Sequence, residues 1–106
     1  MSTKTIPSVP EVEREERGGV SLDYLPLYKV IMWNDNVTTM EFVVRMLIKV
    51  FGKDYAMAEK LMYEIHYTGC AVVAAFPLEV AEFKVQQVHN AASMEEFPLT
   101  CTIEPE

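Results

Sequence analysis

The sequence predicts an α+β domain: three helices packed on a small three-stranded antiparallel sheet, in the order β-α-α-β-α-β, behind a flexible N-terminal arm. Two observations carry this. Short runs at Leu27–Trp33, Cys70–Phe76 and Pro98–Ile103 have the composition of strands. Between them lie longer segments whose apolar residues recur at helical spacing. So small a sheet, interleaved with three helices, leaves those helices on one face.

Residues 1–24 read as the arm. Pro7, Pro10 and Gly18-Gly19 punctuate them, Glu11, Glu13, Glu15 and Glu16 surround Arg14 and Arg17, and large apolar residues are sparse before Leu22, Tyr24 and Leu25. Such a stretch buries too little surface to order itself, beyond a transient helix over Val9–Arg17. Residues 25–106 form the core domain. Its first strand, Leu27–Trp33, ends at Asn34-Asp35-Asn36, residues that favour turns. Thr38 and Glu41 have capping-box spacing, which predicts a helix starting at Thr38. Met40, Val43, Val44, Leu47, Ile48 and Phe51 carry it to Phe51, and Gly52 suits a left-handed stop. Asp54 caps the second helix; Ala58, Leu61, Met62 and Ile65 are its stripe and Gly69 its end. The continuous apolar run Cys70–Phe76 predicts a buried central strand. Pro77 suits the first turn of a third helix with Ala81, Val85, Val88 and Ala92 inward. In the last strand Leu99, Cys101 and Ile103 alternate with Thr100 and Thr102, so one face is expected to be exposed.

Composition narrows the function. The chain has 106 residues and a formal net charge of −7, and such acidity repels phosphate backbones, so nucleic acid is not an expected partner. No apolar run approaches the ~20 residues of a membrane span. The N-terminal stretch lacks the apolar core of a signal peptide, so the cytoplasm, or a plastid stroma, is the expected compartment. Cys70 and Cys101 form no CxxC pair and read as small thiols buried in strands, with no disulfide. His66 and His89 show no ligand spacing with them, so no metal and no cofactor are expected. His89 reads as a solvated residue at a helix C-terminus. His66, Cys70 and Asp35 could be arranged as base, thiol nucleophile and orienter, but Cys70 falls at the start of a buried strand without a visible oxyanion hole.

Binding fits the residues better than catalysis. Asn34 offers an amide oxygen, Asp35 a carboxylate and neutral His66 one lone pair, beside an apolar set. The matching ligand has a positive head with several donors and a greasy tail, as does the amino terminus of a peptide that begins with a large hydrophobic residue. A peptide amino group has a reference pKa near ~7.7–8.0 and is mostly an ammonium at neutral pH. Hydrogen bonds to it contribute ~1.5–3 kcal/mol each, and burial of a Leu or Phe side chain roughly 1.5–3 kcal/mol.

The blocks Tyr28-Lys-Val-Ile, Asn34-Asp35, Thr38-x-Met40-Glu41-Phe42-Val43, Ala58-x-x-Leu61-Met62, His66-x-x-Gly69, Glu79-Val-Ala-Glu82-x-Lys84 and Pro98-Leu99-x-Cys101 stand in one order along the last three quarters of the chain. In this the chain resembles the ClpS family, adaptors of Clp-type proteolysis that recognise destabilising N-terminal residues. The resemblance implies a fold like the C-terminal domain of the ribosomal stalk protein and a monomeric, non-enzymatic adaptor. It implies that Asn34, Asp35, Asn36 and His66 surround the substrate amino group and first peptide unit. Thr38, Met40, Val43, Met62, Ile65 and Leu99 would line the pocket for a first Leu, Phe, Tyr or Trp side chain, with Met40 as a gate against residues branched at Cβ. Glu79 and Lys84 would dock on the N-terminal domain of a Clp AAA+ unfoldase, which the arm would engage during handover. The chain departs from the family pattern at Asn36, where a second acid is usual, at Val37 (usually aromatic), at Thr39 (usually proline) and at Val73-Ala74 (usually Cys-Gly). These departures point to weaker binding or a shifted residue preference. The alternative is a modulator of the unfoldase with the same fold and an altered or lost terminal-residue specificity.

Overall fold

The computed structural model describes residues 25–106, so the expected arm over residues 1–24 lies outside the described residues. The elements follow the expected order: β1 (Leu27–Trp33), α1 (Met40–Lys49), α2 (Tyr55–Thr68), β2 (Cys70–Pro77), α3 (Leu78–Met94) and β3 (Thr100–Pro105). The sheet order is β2-β1-β3, with both pairings antiparallel. Val30 and Met32 of β1 are fully buried against a core that includes Phe42 and Leu47 of α1, Ile65 of α2 and Val88 of α3. Among the described residues no helix packs on the opposite face of the sheet, where Trp33 and Val72 are exposed.

The centre of the sheet is β1, and the expectation of a central Cys70–Phe76 strand is corrected: β2 is an edge. Its continuous apolar run has another cause. The register steps from Val30↔Ala74 to Ile31↔Val72, so Val73 is an extra residue, a β-bulge. Ala71 and Val73 face the core before the bulge, and Ala74 and Phe76 pack on it afterwards. The shift in parity at the bulge makes neighbouring positions apolar without burying both faces. In β3 the expected alternation holds, with Cys101 buried between exposed Thr100 and Thr102. His89 is not a solvated residue. Its Nε2 accepts the Cys101 N–H at 3.0 Å, which satisfies an amide of an edge strand and places the ring proton on Nδ1.

The helix ends fix what the turns can do. The N-cap of α1 is Thr39, whose hydroxyl accepts from Phe42 N at 3.1 Å, not the expected Thr38. Thr38 is engaged elsewhere, because Asp35 folds the turn around its own carboxylate. Its Oδ1 accepts from Val37 N at 2.8 Å and Thr38 N at 2.7 Å, and its Oδ2 accepts from the Thr38 hydroxyl at 2.8 Å. Burial raises the Asp35 pKa, but the bonds from the Thr38 amide, the Thr38 hydroxyl and the Val37 amide together outweigh it and hold the carboxyl below its usual value. At its other end α1 stops at Lys49, with Val50 as C-cap, short of the expected Phe51. Lys84 Nζ donates to the Val50 carbonyl at 2.9 Å, a cation on a helix C-terminus. Asp54 caps α2 by accepting from Met57 N at 2.8 Å, and Gly69 ends it in the left-handed region at φ 100°. The Gly69 carbonyl then accepts from Asn34 N at 2.9 Å, tying the end of α2 to the end of β1.

Two outcomes test this arrangement. A Cβ built on Gly69 meets nothing within 4 Å, so Gly69→Ala carries only a backbone penalty. It should lower the unfolding free energy by about 1–2 kcal/mol, measured by urea titration; an unchanged midpoint would contradict the left-handed cap. Asp35→Ala should cost about 1–3 kcal/mol at neutral pH, because two amides and a hydroxyl lose their acceptor. A depressed folded-state pKa contributes stability that is full above the unfolded value, near ~3.9, and is lost as pH falls through the folded value below it. The gap between wild type and Asp35→Ala should therefore be flat from neutral pH down to the ordinary carboxylate range and close beneath it. A gap that closed on the alkaline side of that range would contradict the account.

Candidate functional site

The β1–α1 turn, α1 and α2 meet around an open cavity of about 230 Å³. This lies below the ~300–1,000 Å³ of sites for drug-sized ligands and suits a single side chain. The turn contributes Asn34, Asp35, Asn36 and Thr38, α1 contributes Met40 and Val43, and α2 contributes Met62, Ile65 and His66. Val43, Met62 and Ile65 are buried and form the apolar floor. Asn34, Asn36, Met40 and His66 are exposed and stand at the rim. Helical geometry explains the α2 contribution: Met62, Ile65 and His66 are spaced by three and four residues and share a side of the helix.

The structure thus brings to one cavity nine of the ten residues expected around the substrate amino group and first side chain. Leu99 is the tenth; it is a buried core residue and is not on the cavity wall. Glu79 and Lys84 lie on α3, away from this lining. Glu79 is exposed in the first turn, whereas Lys84 is half-buried, holding the α1 C-terminus with its ammonium 5.9 Å from the Phe76 ring centroid.

The rim carries little free charge. Both Asp35 oxygens already accept bonds from within the turn, Oδ1 two and Oδ2 one. A carboxylate offers about four lone-pair sites, so Asp35 has one left, on Oδ2. The side chains of Asn34, Asn36 and His66 make no hydrogen bond among the described residues. The rim therefore presents two amides and an imidazole beside one largely engaged carboxylate. That set can accept bonds from a multiply donating head group while the floor takes an apolar tail.

The thiols do not join this site. Cys70 is not on the cavity wall; it precedes inward-facing Ala71 and so lies on the face of the sheet opposite the three described helices. Burial pushes the Cys101 thiol up to about 12, which leaves it protonated at neutral pH. Among the described residues no group of three or more His, Cys, Asp or Glu is placed to hold a metal ion, and no helix is long and apolar enough to cross a membrane.

Two features were not foreseen. The rings of Tyr63 and Tyr67 stack with centroids 6.0 Å apart, and Tyr67 meets the His66 ring edge-on at 4.8 Å. Their i, i+4 spacing beside His66 was the available signal. The bond from the Cys101 amide to His89 had none, since the two residues lie twelve apart on different elements.

The family described as "ATP-dependent Clp protease adaptor protein ClpS" matches residues 24–102. The chain is 47% identical over 83 residues to the ATP-dependent Clp protease adapter protein ClpS of Desulforapulum autotrophicum, a match that covers 78% of this chain and 80% of the relative. It is 49% identical over 78 residues to the protein of the same name in Escherichia fergusonii, covering 74% of each. Among solved structures, Agrobacterium tumefaciens ClpS2 bound to L-phenylalaninamide superposes with a TM-score of 0.74 at 36% identity, covering 76% of this chain and 98% of that one. With most of its length matched at these identities, and with the same fold, the chain belongs to the ClpS family of Clp protease adaptors.

Proposed function

We propose that this chain is an adaptor that binds proteins whose first residue is a bulky hydrophobic one, Leu, Phe, Tyr or Trp, and delivers them to a Clp AAA+ unfoldase for degradation. The observation that carries this reading is the cavity itself: an apolar floor of single-side-chain size under a rim of hydrogen-bond acceptors. The ligand held by the related Agrobacterium protein, L-phenylalaninamide, has that form. It joins a free amino group to one aromatic side chain. In this reading Asn34, Asn36 and His66 take the ammonium and first peptide unit, with the remaining Asp35 lone pair. Thr38, Met40, Val43, Met62 and Ile65 enclose the side chain, and Met40, exposed at the rim, gates it.

The adaptor works by binding, as a monomer in the cytoplasm or a plastid stroma, without a cofactor. The N-terminal domain of the unfoldase docks on α3 at Glu79. Lys84 supports that surface by fixing α3 to the end of α1. The open cavity favours this reading over a modulator that has lost its terminal-residue site.

The Asp35 geometry clarifies the Asn36 departure. The acid that remains is the one folded into the turn, and the position without described bonds carries a neutral amide. Binding here depends less on charge than it would with an acid at both positions.

Fluorescence anisotropy with short labelled peptides tests the function. Free peptides starting with Leu, Phe, Tyr or Trp should bind at about the micromolar level, near −8 kcal/mol, and acetylation should weaken binding at least about tenfold. Equal affinity for free and acetylated peptides would exclude the proposal. Asn36→Asp should tighten binding of free peptides by about tenfold in low salt, with most of the gain lost at high salt. No gain at low salt would mean that position 36 does not face the ammonium.

A further inference from the structure

We infer that Tyr63 and Tyr67 form a second subsite, which takes a large apolar or aromatic side chain on the substrate residue that follows the buried one. This rests on the cavity binding a chain start, as proposed above, and extends it outward along α2.

The argument begins with the helix. Successive residues turn by about 100°, so the surface of α2 passes from floor to rim to solvent in an ordered way. Met62 and Ile65 face the cavity floor, His66 stands at its rim, and Tyr63 and Tyr67 form the next stripe outward. Tyr67 is 75% exposed and Tyr63 is 43% exposed. Their planes lie within 12° of each other at a centroid separation of 6.0 Å, so the two rings form one stacked aromatic unit with exposed surface on both members. That surface begins where the cavity ends, because the Tyr67 ring touches the His66 ring at 4.8 Å.

The direction of a bound peptide leads there. The amino group is drawn to Asn34 and Asn36 on the turn side of the rim. The carbonyl of the first residue leaves its Cα by a different bond and is free to run toward His66 on the α2 side. The next Cα follows only 3.8 Å from the first, so a chain that leaves past the imidazole has its second side chain within reach of the Tyr67 ring, which adjoins His66. An i, i+4 aromatic pair adds little to a helix by itself, and neither phenol hydroxyl forms a hydrogen bond among the described residues. Exposed, parallel and aromatic, the pair suits stacking with another planar or apolar group.

Peptides Phe-Ala-x, Phe-Trp-x and Phe-Glu-x, identical beyond the second residue and with free amino termini, should be titrated against the full chain and against Tyr63→Ala, Tyr67→Ala and Tyr67→Phe. The wild type should prefer Phe-Trp over Phe-Ala by about three- to tenfold, with Phe-Glu at or below Phe-Ala. The ratio should fall to about one in both alanine variants and persist in Tyr67→Phe, which keeps the ring. A wild-type ratio of one, or a preference that survives both alanine substitutions, would overturn the subsite while normal binding of Phe-Ala left the cavity reading standing. If Phe-Ala itself failed to bind the wild type, both readings would fall.

Discussion

The carboxylate of Asp35 organises the functional end of this molecule. A strand must stop, turn and feed a helix within a few residues, and the turn leaves backbone amides that need acceptors. Asp35 supplies one for Val37 N and Thr38 N and another for the Thr38 hydroxyl. With that loop closed, Thr39 is free to cap α1. Asn34 meets the left-handed Gly69 carbonyl at the far end of α2. Three elements distant in sequence are thereby pinned around one cavity. The same engagement sets the chemistry of the rim, because a carboxylate that holds its own turn has little capacity left for a ligand.

The division of labour explains why neighbouring residues of similar chemistry act differently. Asp35 and Thr38 build the turn, and Asn34 and Asn36 keep their side-chain amides available on it. Val43, Met62 and Ile65 are core residues that happen to end at a hole. Met40, on the same helix as Val43, stays exposed because it stands at the mouth. In the proposed function, specificity comes from the size and shape of the cavity and from acceptors that need an unblocked donor, more than from net charge.

Much of this was legible in the sequence because it depends on local rules. The helical stripe of α2, the Asp54 cap, the Gly69 stop and the alternation in β3 all follow from spacing within a few residues, and all appear as expected. The grouping of Asn34 with His66 rests on their shared acceptor chemistry and on the block order of a family, since no local rule joins residues so far apart. Where reading failed, a competing partner had taken the residue. Thr38 has capping spacing, but Asp35 holds its hydroxyl, and the cap moves to Thr39. His89 sits where a solvated histidine is common, but the Cys101 amide lies within reach. The run Cys70–Phe76 looks doubly buried until the bulge at Val73 explains its apolar neighbours. Leu99 is buried in the core and does not line the cavity, a distinction that sequence pattern does not resolve.

In the proposed function the first side chain of the substrate occupies the cavity whose wall includes Met40 and Met62. The methionine ε-methyl signals of the protein report this directly. Adding a free Phe-starting peptide to protein labelled with ¹³C at the methionine methyls should move Met40 and Met62 by ring current, leaving exposed Met57 and Met94 in place. The acetylated peptide should move neither at the same concentration. Shifts confined to Met57 or Met94, or identical shifts from the free and acetylated peptides, would contradict the account.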